Sequence, residues 1–311
     1  MQALAYRPPA RLVLEQRRVP VPHDGEAVVH VDAASICGTD LRIAAGAHRA
    51  YADADGRVPG HELAGTIAAV GGGVALREGD RVFVAPNYGC GRCAACRRGD
   101  VNLCETPRAL GITDDGAFAQ YTLLPAELVA QGNVMPADCD DPGALALVEP
   151  LACVLRGSRA CRIGPDDLVL VYGAGPIGLL HLAVAQLAGA AVVVREPNEE
   201  RRAVAVARGA GTELTRAPDV VIVAAPSADA QREALELAAP GGRVNFFAGL
   251  PRDASHVELD TNLVHYKELV VTGTTANTNA DCRDALELVL DGRVDTASLV
   301  DARFDLAAAR D

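Results

Sequence analysis

Strand and helix patterns alternate along residues 166–250, and this alternation limits the possible folds more than any other feature. "DDLVLVYGAG" is typical of a buried strand that runs into glycines, and "PIGLLHLAVAQLAGA" is typical of a helix that is apolar on most of its surface. "AVVVRE" predicts a second strand, and "NEERRAVAVARGAG" predicts a helix with an asparagine cap and a glycine stop. Such alternation implies a parallel sheet, so we predict an α/β fold with a doubly wound sheet.

The turn between the first strand and its helix carries a glycine pattern. "GAGPIG" matches G-x-G-x-x-G, follows a strand and opens a helix, which together indicate a dinucleotide site. The glycines let the backbone approach the pyrophosphate, and the helix N-terminus stabilises its charge. An ordinary glycine turn is the alternative. The predicted cofactor-binding residues of the turn are Gly173, Gly175, Pro176, Ile177 and Gly178.

Glu196 ends the second strand, about 20 residues beyond the glycines, where a carboxylate binds the ribose diol. This carboxylate would repel a 2′-phosphate, so we expect NAD as the cofactor. Arg195 and Arg201 lie nearby, and an arginine can pair with such a phosphate, so NADP is the less favoured alternative. We count Glu196 and Arg201 among the cofactor-binding residues, although Glu196 could also be a solvated carboxylate at a helix start.

Four cysteines lie close together in "GCGRCAACRRGDVNLCE" with the spacing C-x2-C-x2-C-x7-C. Four thiolates suit a tetrahedral zinc ion, and a site with all four positions filled stabilises a lobe without doing chemistry. The last gap and the following glutamate do not match the bacterial ferredoxin pattern. We therefore predict a structural zinc lobe at 88–105, with a redox switch as the alternative. The predicted ligands are Cys90, Cys93, Cys96 and Cys104.

A second set of candidate ligands is spread along the first half of the chain, which is otherwise typical of short strands and turns. Cys37 lies in "SICGTDLR", His61 and Glu62 lie in "VPGHELAG", and Glu149 lies in "LVEPLAC". Each is ordinary alone, since a single cysteine or histidine is usually part of a core. Together they form a cysteine, histidine and carboxylate set suited to a catalytic zinc with one open position.

Composition excludes several other functions. The 311 residues are enough for two domains, and the net charge of −12 argues against nucleic acid as a partner. No apolar stretch approaches the roughly 18 residues of a membrane span, and the N-terminus lacks a secretory signal pattern. We therefore expect a cytoplasmic protein without a membrane partner. Because the cytoplasm is reducing, its clustered cysteines are expected to bind a metal and not to form disulfides.

These motifs together resemble the zinc-dependent medium-chain dehydrogenases, and among them the sorbitol (polyol) dehydrogenase branch. The resemblance is carried by "CGTD", "GHE", the four-cysteine lobe, "EP", "GAGPIG" and "FDLAAA", and it covers nearly the whole chain. It implies a Rossmann domain over 148–274. It also implies a GroES-like, mostly-β catalytic domain over 1–147 and 275–311, and a homodimer or homotetramer.

The resemblance also implies roles for single residues. Cys37, His61 and Glu62 would be ligands of the catalytic zinc, and Glu149 would bind the metal or hold its water. The alcohol dehydrogenase branch has a cysteine at that last position, so Glu149 points to polyols. Thr39 would start a proton relay, or alternatively cap a turn or helix. The histidine that the family often has five residues after the cysteine is Arg42 here.

The predicted activity is hydride transfer between NAD(H) and a secondary alcohol or ketone of a polyol, sugar or cyclitol, with one catalytic and one structural Zn²⁺. An alternative is an amino-cyclitol dehydrogenase of aminoglycoside biosynthesis, similar to 2-deoxy-scyllo-inosamine dehydrogenase. The observation in favour of this alternative is the stretch "EPNEERRAVAVA". A non-enzymatic cofactor-binding scaffold is a further alternative, and its signature would be the loss of a catalytic ligand.

One segment departs from the family pattern. Between "ARGAG" and "DVVIVAAP" only "TELTRAP" remains, whereas similar proteins have a strand and a full helix there. A parallel crossover normally takes a dozen or more residues. Either the third strand is not a member of the sheet, or residues are missing near 214–218. Relatives also continue with a further strand beyond the last residues, "FDLAAARD".

Overall fold

The computed structural model describes residues 1–310. The chain divides into two compact units, Met1–Ala152 with Ala276–Asp311, and Cys153–Thr275. The sequence-based boundaries at 147/148 and 274/275 lie within a few residues of these divisions. Each unit contains its own sheet and its own apolar core.

The first unit is mostly β. Its strands are β1 (Gln2–Arg7), β2 (Arg11–Gln16), β3 (Ala27–Ser35), β4 (Glu62–Val70), β5 (Arg81–Val84), β6 (Asn87–Tyr88), β7 (Arg108–Ala109), β8 (Tyr121–Leu124) and β9 (Val134–Pro136). Its helices up to the first division are α1 (Gly38–Ala44), α2 (Ala94–Arg97), α3 (Ala126–Ala130), α4 (Pro142–Ala146) and α5 (Val148–Cys161), the last of which continues past that division.

An antiparallel five-stranded sheet with the order β8-β3-β4-β5-β9 forms the centre of the first unit. Alternating side chains of its strands, among them Leu63, Ile67, Val82 and Val84, fill one core. Burial of alternate side chains is typical of an antiparallel sheet that packs one face against a core. The mostly-β prediction for this part of the chain is confirmed.

The second unit is an α/β unit with a parallel sheet. Its elements are β10 (Leu168–Tyr172), α6 (Pro176–Leu187), β11 (Ala191–Arg195), α7 (Glu199–Ala207), β12 (Val220–Val223), α8 (Ala228–Leu237), β13 (Arg243–Phe246), α9 (Thr261–Tyr266) and β14 (Val270–Gly273). The chain then returns to the first unit through α10 (Asn279–Leu290). Single 3-10 turns lie at Arg49–Tyr51, Val101–Leu103, Arg252–Ala254, Ala297–Leu299 and Ala308–Arg310.

The strands of the second unit are all parallel, in the order β11-β10-β12-β13-β14. Helices α6 and α7 pack on one face, through residues such as Leu182 and Ala205. Helices α8 and α9 pack on the other face, through residues such as Leu235 and Leu263. Because both faces are covered, the central strands β10 and β12 are buried along their whole length, and the predicted doubly wound sheet is confirmed.

The segment 208–219 replaces the usual third strand and its helix. Within residues 1–310, the chain passes from α7 to β12 without another strand, so β11 is the sheet edge. Gly211 alone bridges this edge: its N–H donates to the Val192 carbonyl (2.8 Å), and its carbonyl accepts from the Val194 N–H (3.0 Å). Leu214 then packs on the face covered by α8. The first of the two sequence-based alternatives therefore describes this structure.

The short connection is possible because of the strand order. Without a third strand, the chain crosses only from β11 to β12, which flank β10. That distance is two strand spacings, about 10 Å. The segment thus wraps around the edge strand and covers part of its backbone, which would otherwise be open for pairing. In the described part of the chain, every helix is too short or too polar to cross a bilayer.

Candidate active site

Three residues predicted as metal ligands come together in the first unit. Cys37 lies directly before α1, and His61 and Glu62 lie where the chain enters β4. One ligand atom from each of the three lies within 4.8 Å of the other two. His61 and Glu62 are buried and Cys37 is half-buried. Residues separated by more than twenty positions in sequence therefore meet at a single point.

Asp40 holds the two segments of this cluster in place. One of its carboxylate oxygens accepts the Cys37 N–H (2.9 Å), and the other accepts the Gly60 N–H (3.3 Å). The same carboxylate lies 3.7 Å from Nδ1 of His61, which is longer than a hydrogen bond. Asp40 was not among the site residues predicted from the sequence. Its signal was its place three residues after Cys37, where an acidic side chain can return to the N-cap amide of a helix.

The electrostatics of the cluster suit a cation. Burial alone would lower the pKa of His61, but Asp40 and Cys37 outweigh burial and hold this pKa well above its usual value. Burial, followed by repulsion from Glu149, raises the pKa of Glu62 to about 7, although the Ser35 hydroxyl donates to its carboxylate. The buried carboxylates of Asp40 and Glu62 and the Cys37 thiol bring potential negative charge to one point, and such a point suits a divalent cation.

The donor set fits zinc. A thiolate, an imidazole nitrogen and a carboxylate oxygen are the ligand types that zinc takes in proteins. Nδ1 of His61 is buried, and no residue in 1–310 forms a hydrogen bond with it. Glu149 lies outside the three-residue group but close enough to raise the pKa of Glu62. The residues present therefore fit a zinc ion with a second carboxylate beside it.

The predicted relay residue, Thr39, lies in the first turn of α1. Its hydroxyl oxygen accepts a hydrogen bond from the Arg42 guanidinium (3.0 Å). Cys37 occupies the N-cap position of α1 and Asp40 bonds back to its amide, so Thr39 does not cap this helix. The arginine at the position of the family's histidine therefore contacts the hydroxyl directly.

The four-cysteine lobe has the dimensions of a closed metal site. All four thiols lie within 4.8 Å of one another. The Cys93 and Cys104 sulfurs are 3.9 Å apart, and the Cys90 and Cys96 sulfurs are 4.0 Å apart. A tetrahedron with Zn–S bonds of ~2.3 Å has S···S edges of about 3.8 Å, whereas a disulfide has an S–S bond of ~2.0 Å. The spacing therefore fits four zinc ligands and excludes disulfide bonds.

Backbone amides stabilise negative charge on these sulfurs. The Cys93 N–H donates to Cys90 (3.4 Å), and the Cys96 N–H donates to Cys93 (3.5 Å). Such amide bonds lower the pKa of Cys90, and they lower the pKa of Cys93 to about 6. Gly89 is required by close approach, since a Cβ there would lie 2.3 Å from the Cys96 sulfur.

The glycine turn of the second unit joins β10 to α6. Gly173 has φ +100°, a left-handed conformation that favours glycine. A Cβ on Gly178 would lie 2.0 Å from the Gly173 carbonyl oxygen, so the helix start and the strand end can approach only without a side chain. Gly175 is the N-cap of α6, Pro176 is its first residue and Ile177 follows. This is the geometry in which a helix N-terminus binds a phosphate.

Glu196 ties the ends of two strands together. Its Oε2 accepts the Ala174 N–H (2.8 Å) in the glycine turn, and its Oε1 accepts the Asn198 N–H (2.9 Å) after β11. Arg195 donates to Glu233 and, at 3.3 Å, to the Tyr172 hydroxyl. This pairing of Arg195 was not predicted from the sequence.

Arg201 differs from Arg195 in its surroundings. Arg201 is exposed in the first turn of α7, where its backbone N–H donates to the Asn198 side chain (2.9 Å). Of the two arginines considered from the sequence, Arg195 is thus engaged by an acidic partner and Arg201 is exposed to solvent.

Comparison with known proteins agrees with this architecture. The family model described as "Alcohol dehydrogenase GroES-like domain" matches residues 23–136, and the model described as "Zinc-binding dehydrogenase" matches residues 176–291. The D-altritol 5-dehydrogenase of Agrobacterium fabrum is 34% identical over 99% of this chain and 93% of its own length. The chain belongs to the zinc-dependent medium-chain dehydrogenases.

Other relatives of this medium-chain dehydrogenase point the same way. The L-galactonate-5-dehydrogenase of Escherichia coli K12 is 39% identical over 65% of this chain, and the match spans 58% of that relative's length. As a member of the family, the protein is an oxidoreductase of the zinc-dependent alcohol and polyol dehydrogenase type, and it resembles the sorbitol dehydrogenase branch in particular.

Solved structures share the fold of this medium-chain dehydrogenase. A short chain alcohol dehydrogenase from Escherichia coli CFT073, complexed with NADH, has a TM-score of 0.88 and 29% identity, over 99% of this chain and 93% of its own. A zinc-binding dehydrogenase from Sinorhizobium meliloti 1021, bound to NADP, has a TM-score of 0.86 and 31% identity, over 94% and 89%. Relatives of this fold therefore bind either nicotinamide dinucleotide.

Proposed function

We propose that this protein oxidises a secondary alcohol of a polyol, sugar or cyclitol and transfers the hydride to NAD. The observation that carries the proposal is the meeting of Cys37, His61 and Glu62 ligand atoms within 4.8 Å in a chain whose relatives include sugar and polyol dehydrogenases. Glu149 beside this cluster supports a hydroxyl-rich substrate, because a carboxylate accepts hydrogen bonds from alcohol groups or from a bound water.

The chain's own residues would divide the work as follows. Cys37, His61 and Glu62 would hold a catalytic zinc ion, and Asp40 orients the two segments that carry these residues. When bound, zinc is a Lewis acid that acidifies a coordinated alcohol, and the nicotinamide accepts the hydride. Ser35 donates to Glu62 and limits the rotation of that carboxylate. Thr39 would move the alcohol proton toward solvent, with Arg42 at its oxygen.

A second zinc ion would have a structural role. Cys90, Cys93, Cys96 and Cys104 would fill all four of its positions, which leaves none for a substrate. Backbone amides already stabilise thiolate charge in this lobe. The ion would therefore contribute folding free energy to the residues around 88–105, in keeping with a closed site.

NAD is the proposed dinucleotide. The Glu196 carboxylate stands at the end of β11, where it would accept from the ribose hydroxyls and repel a 2′-phosphate. Arg195 would not compensate for this repulsion, because Glu233 already pairs with it. Arg201 is exposed in the first turn of α7, and it would weaken the preference for NAD if it paired with a 2′-phosphate.

Metal analysis and a substrate panel test the proposal together. We expect two zinc ions per chain, and NAD reduction with one or more members of a panel of polyols, sugar alcohols, sugar acids and inositols. NADP should be used with a lower kcat/KM. A fully zinc-loaded protein that reduces neither dinucleotide with any of these compounds would overturn the proposal, and turnover restricted to amino-cyclitols would replace its substrate class.

A further inference from the structure

A buried asparagine contacts the candidate active site from the opposite end of the first unit's sequence. Asn277 is 1% exposed and lies just after the point where the chain returns to this unit. Its Nδ2 group donates to Oε1 of Glu149 (2.6 Å) and to the Glu149 backbone carbonyl (3.2 Å). A side-chain amide has two N–H groups, and both find an acceptor on the same residue. Asn277 therefore holds the backbone and the carboxylate of Glu149 together.

The other end of the Asn277 amide is also held. Its oxygen accepts from the Asn87 side chain (3.0 Å) and from the Cys282 thiol (3.3 Å). These contacts determine which way the amide faces, because an amide turned over would place its N–H groups against the Asn87 donor. The N–H groups of Asn277 are thus directed to Glu149 by partners that are not themselves candidate metal ligands.

The backbone on both sides of Asn277 is constrained. Ala276 has φ +51°, a left-handed conformation that non-glycine residues seldom adopt and that persists where the surroundings determine it. Thr278 is the N-cap of α10, and its side chain and amide both bond to Asp281 in a capping box. Asn277 therefore has little freedom to move away from Glu149.

We propose that Asn277 is a positioning residue that holds the Glu149 carboxylate beside the Cys37, His61 and Glu62 cluster. The inference rests on the proposed function, in which Glu149 is the second carboxylate of the metal site. Partners of this kind fix the orientation of groups that bind or surround a metal, and their loss typically costs about 10- to 100-fold in metal affinity or activity. Asn277 would act on the reaction through Glu149, without contacting the substrate.

The test uses the full chain with cobalt(II) in the catalytic position and zinc in the lobe. Asn277→Asp is nearly isosteric and removes both N–H donors, and Asn277→Ser shortens the side chain. We expect both variants to change the visible cobalt d–d bands, and to lower both the cobalt affinity of this position and kcat by about 10- to 100-fold. If the bands, the affinity and kcat all match the parent protein, the inference is wrong.

Asn279 supplies a matched control. It lies two residues further along, and its side-chain amide also donates to two acceptors, the Gln131 carbonyl and the Asn133 side chain (both 2.8 Å), away from Glu149. Asn279→Ser should lower the melting temperature but leave the cobalt bands unchanged. If Asn279→Ser changes the bands as much as Asn277→Ser, the effect is general loosening of α10 and the inference is overturned.

A double-mutant cycle separates this inference from the proposed function. If Asn277 acts through Glu149, adding Asn277→Ser to a Glu149→Ala variant should have little further effect on cobalt affinity. Additive losses would overturn the inference and leave the metal site intact. A parent protein that binds one cobalt or zinc ion only, in the cysteine lobe, would instead refute the proposed function itself.

Discussion

The two compact units of this protein use buried polar groups in opposite ways. In the first unit, buried side chains gather around one point, where Asp40 bonds to the amides of Cys37 and Gly60 and Asn277 bonds to Glu149. In the second unit, the predicted ligand-binding element is a backbone turn, and the buried imidazole of His181 has no hydrogen-bond partner in the described chain. Ligand binding at a site built from side chains depends on the chemistry of those side chains. Binding at a site built from backbone depends on the absence of side-chain volume that would keep the backbone segments apart.

The strongest test of this contrast is Cys37→Ser. We expect turnover to fall at least about 1,000-fold, or some 4 kcal/mol, because serine is a poor zinc ligand in place of a thiolate. NADH affinity, measured by fluorescence titration, should stay unchanged because it depends on the other unit. Cys139→Ser is the control, since that half-buried thiol donates to the Asp141 carbonyl (3.6 Å) and is not among the candidate ligands. Retained turnover in Cys37→Ser would refute the side-chain site.

Substitution of a lobe cysteine should affect stability more than turnover, the reverse of the effect expected for Cys37→Ser. Cys93→Ser removes one of four ligands of a closed site, so we expect the zinc content to fall from two ions to one. The free energy of unfolding should fall by about 3 kcal/mol or more, because structural zinc contributes directly to folding. Any activity lost should follow the loss of folded protein. Unchanged stability together with two bound zinc ions would contradict the structural role of the lobe.

A volume change should break the backbone turn. Gly178→Val would place a side chain against the Gly173 carbonyl, with the Cβ 2.0 Å from the oxygen. The turn must then open, and we expect NADH affinity to fall by about 10- to 100-fold, or 1.4 to 2.7 kcal/mol. Zinc content should stay at two ions. Gly164→Ala, where a Cβ meets only Asp167 at 3.9 Å, is the control. Equal NADH affinity in Gly178→Val and the parent would rule out this turn as the pyrophosphate site.

The smallest expected effect concerns the unpartnered His181. Burial lowers its pKa to about 3 from its usual 6.5, so it stays neutral in the folded protein. Between these two pH values, the unfolded chain binds a proton that the folded chain does not. Its stabilising contribution is therefore present above pH 6.5 and is lost as the pH falls toward 3, by up to about 1.4 kcal/mol per pH unit.

Urea unfolding at several pH values between 7.5 and 5 measures this contribution. His181→Leu removes the titrating group. Its free energy of unfolding should therefore fall less steeply toward acid pH, with a slope that corresponds to about one proton fewer. His256→Leu changes an exposed histidine and should retain the parent slope. An identical acid slope for His181→Leu and the parent would show that the buried imidazole is protonated or partnered in solution, and the contrast between the two units would not hold.

Much of the site was predictable because its signals are local or belong to a family pattern. The lobe cysteines lie within fifteen residues of one another, and the glycine turn lies within six, so spacing alone indicates their chemistry. Cys37, His61 and Glu62 were predictable only together, through the resemblance. Asp40 and Asn277 were missed, because an aspartate in a helix start and an asparagine before a helix are ordinary cap residues in any sequence.

The amino-acid sequence by itself determined the class of fold, the closed cysteine lobe and the glycine turn, because periodicity and short spacing act along the chain. It also showed that "TELTRAP" is too short for a strand and a crossover helix, which left open whether the third strand is outside the sheet or residues are missing near 214–218. Only the tertiary structure decided how Gly211 and Leu214 cover the sheet edge, and that Asn277 meets Glu149. Such contacts join residues up to 128 positions apart, and only packing of the sheet and helices brings them within hydrogen-bonding distance.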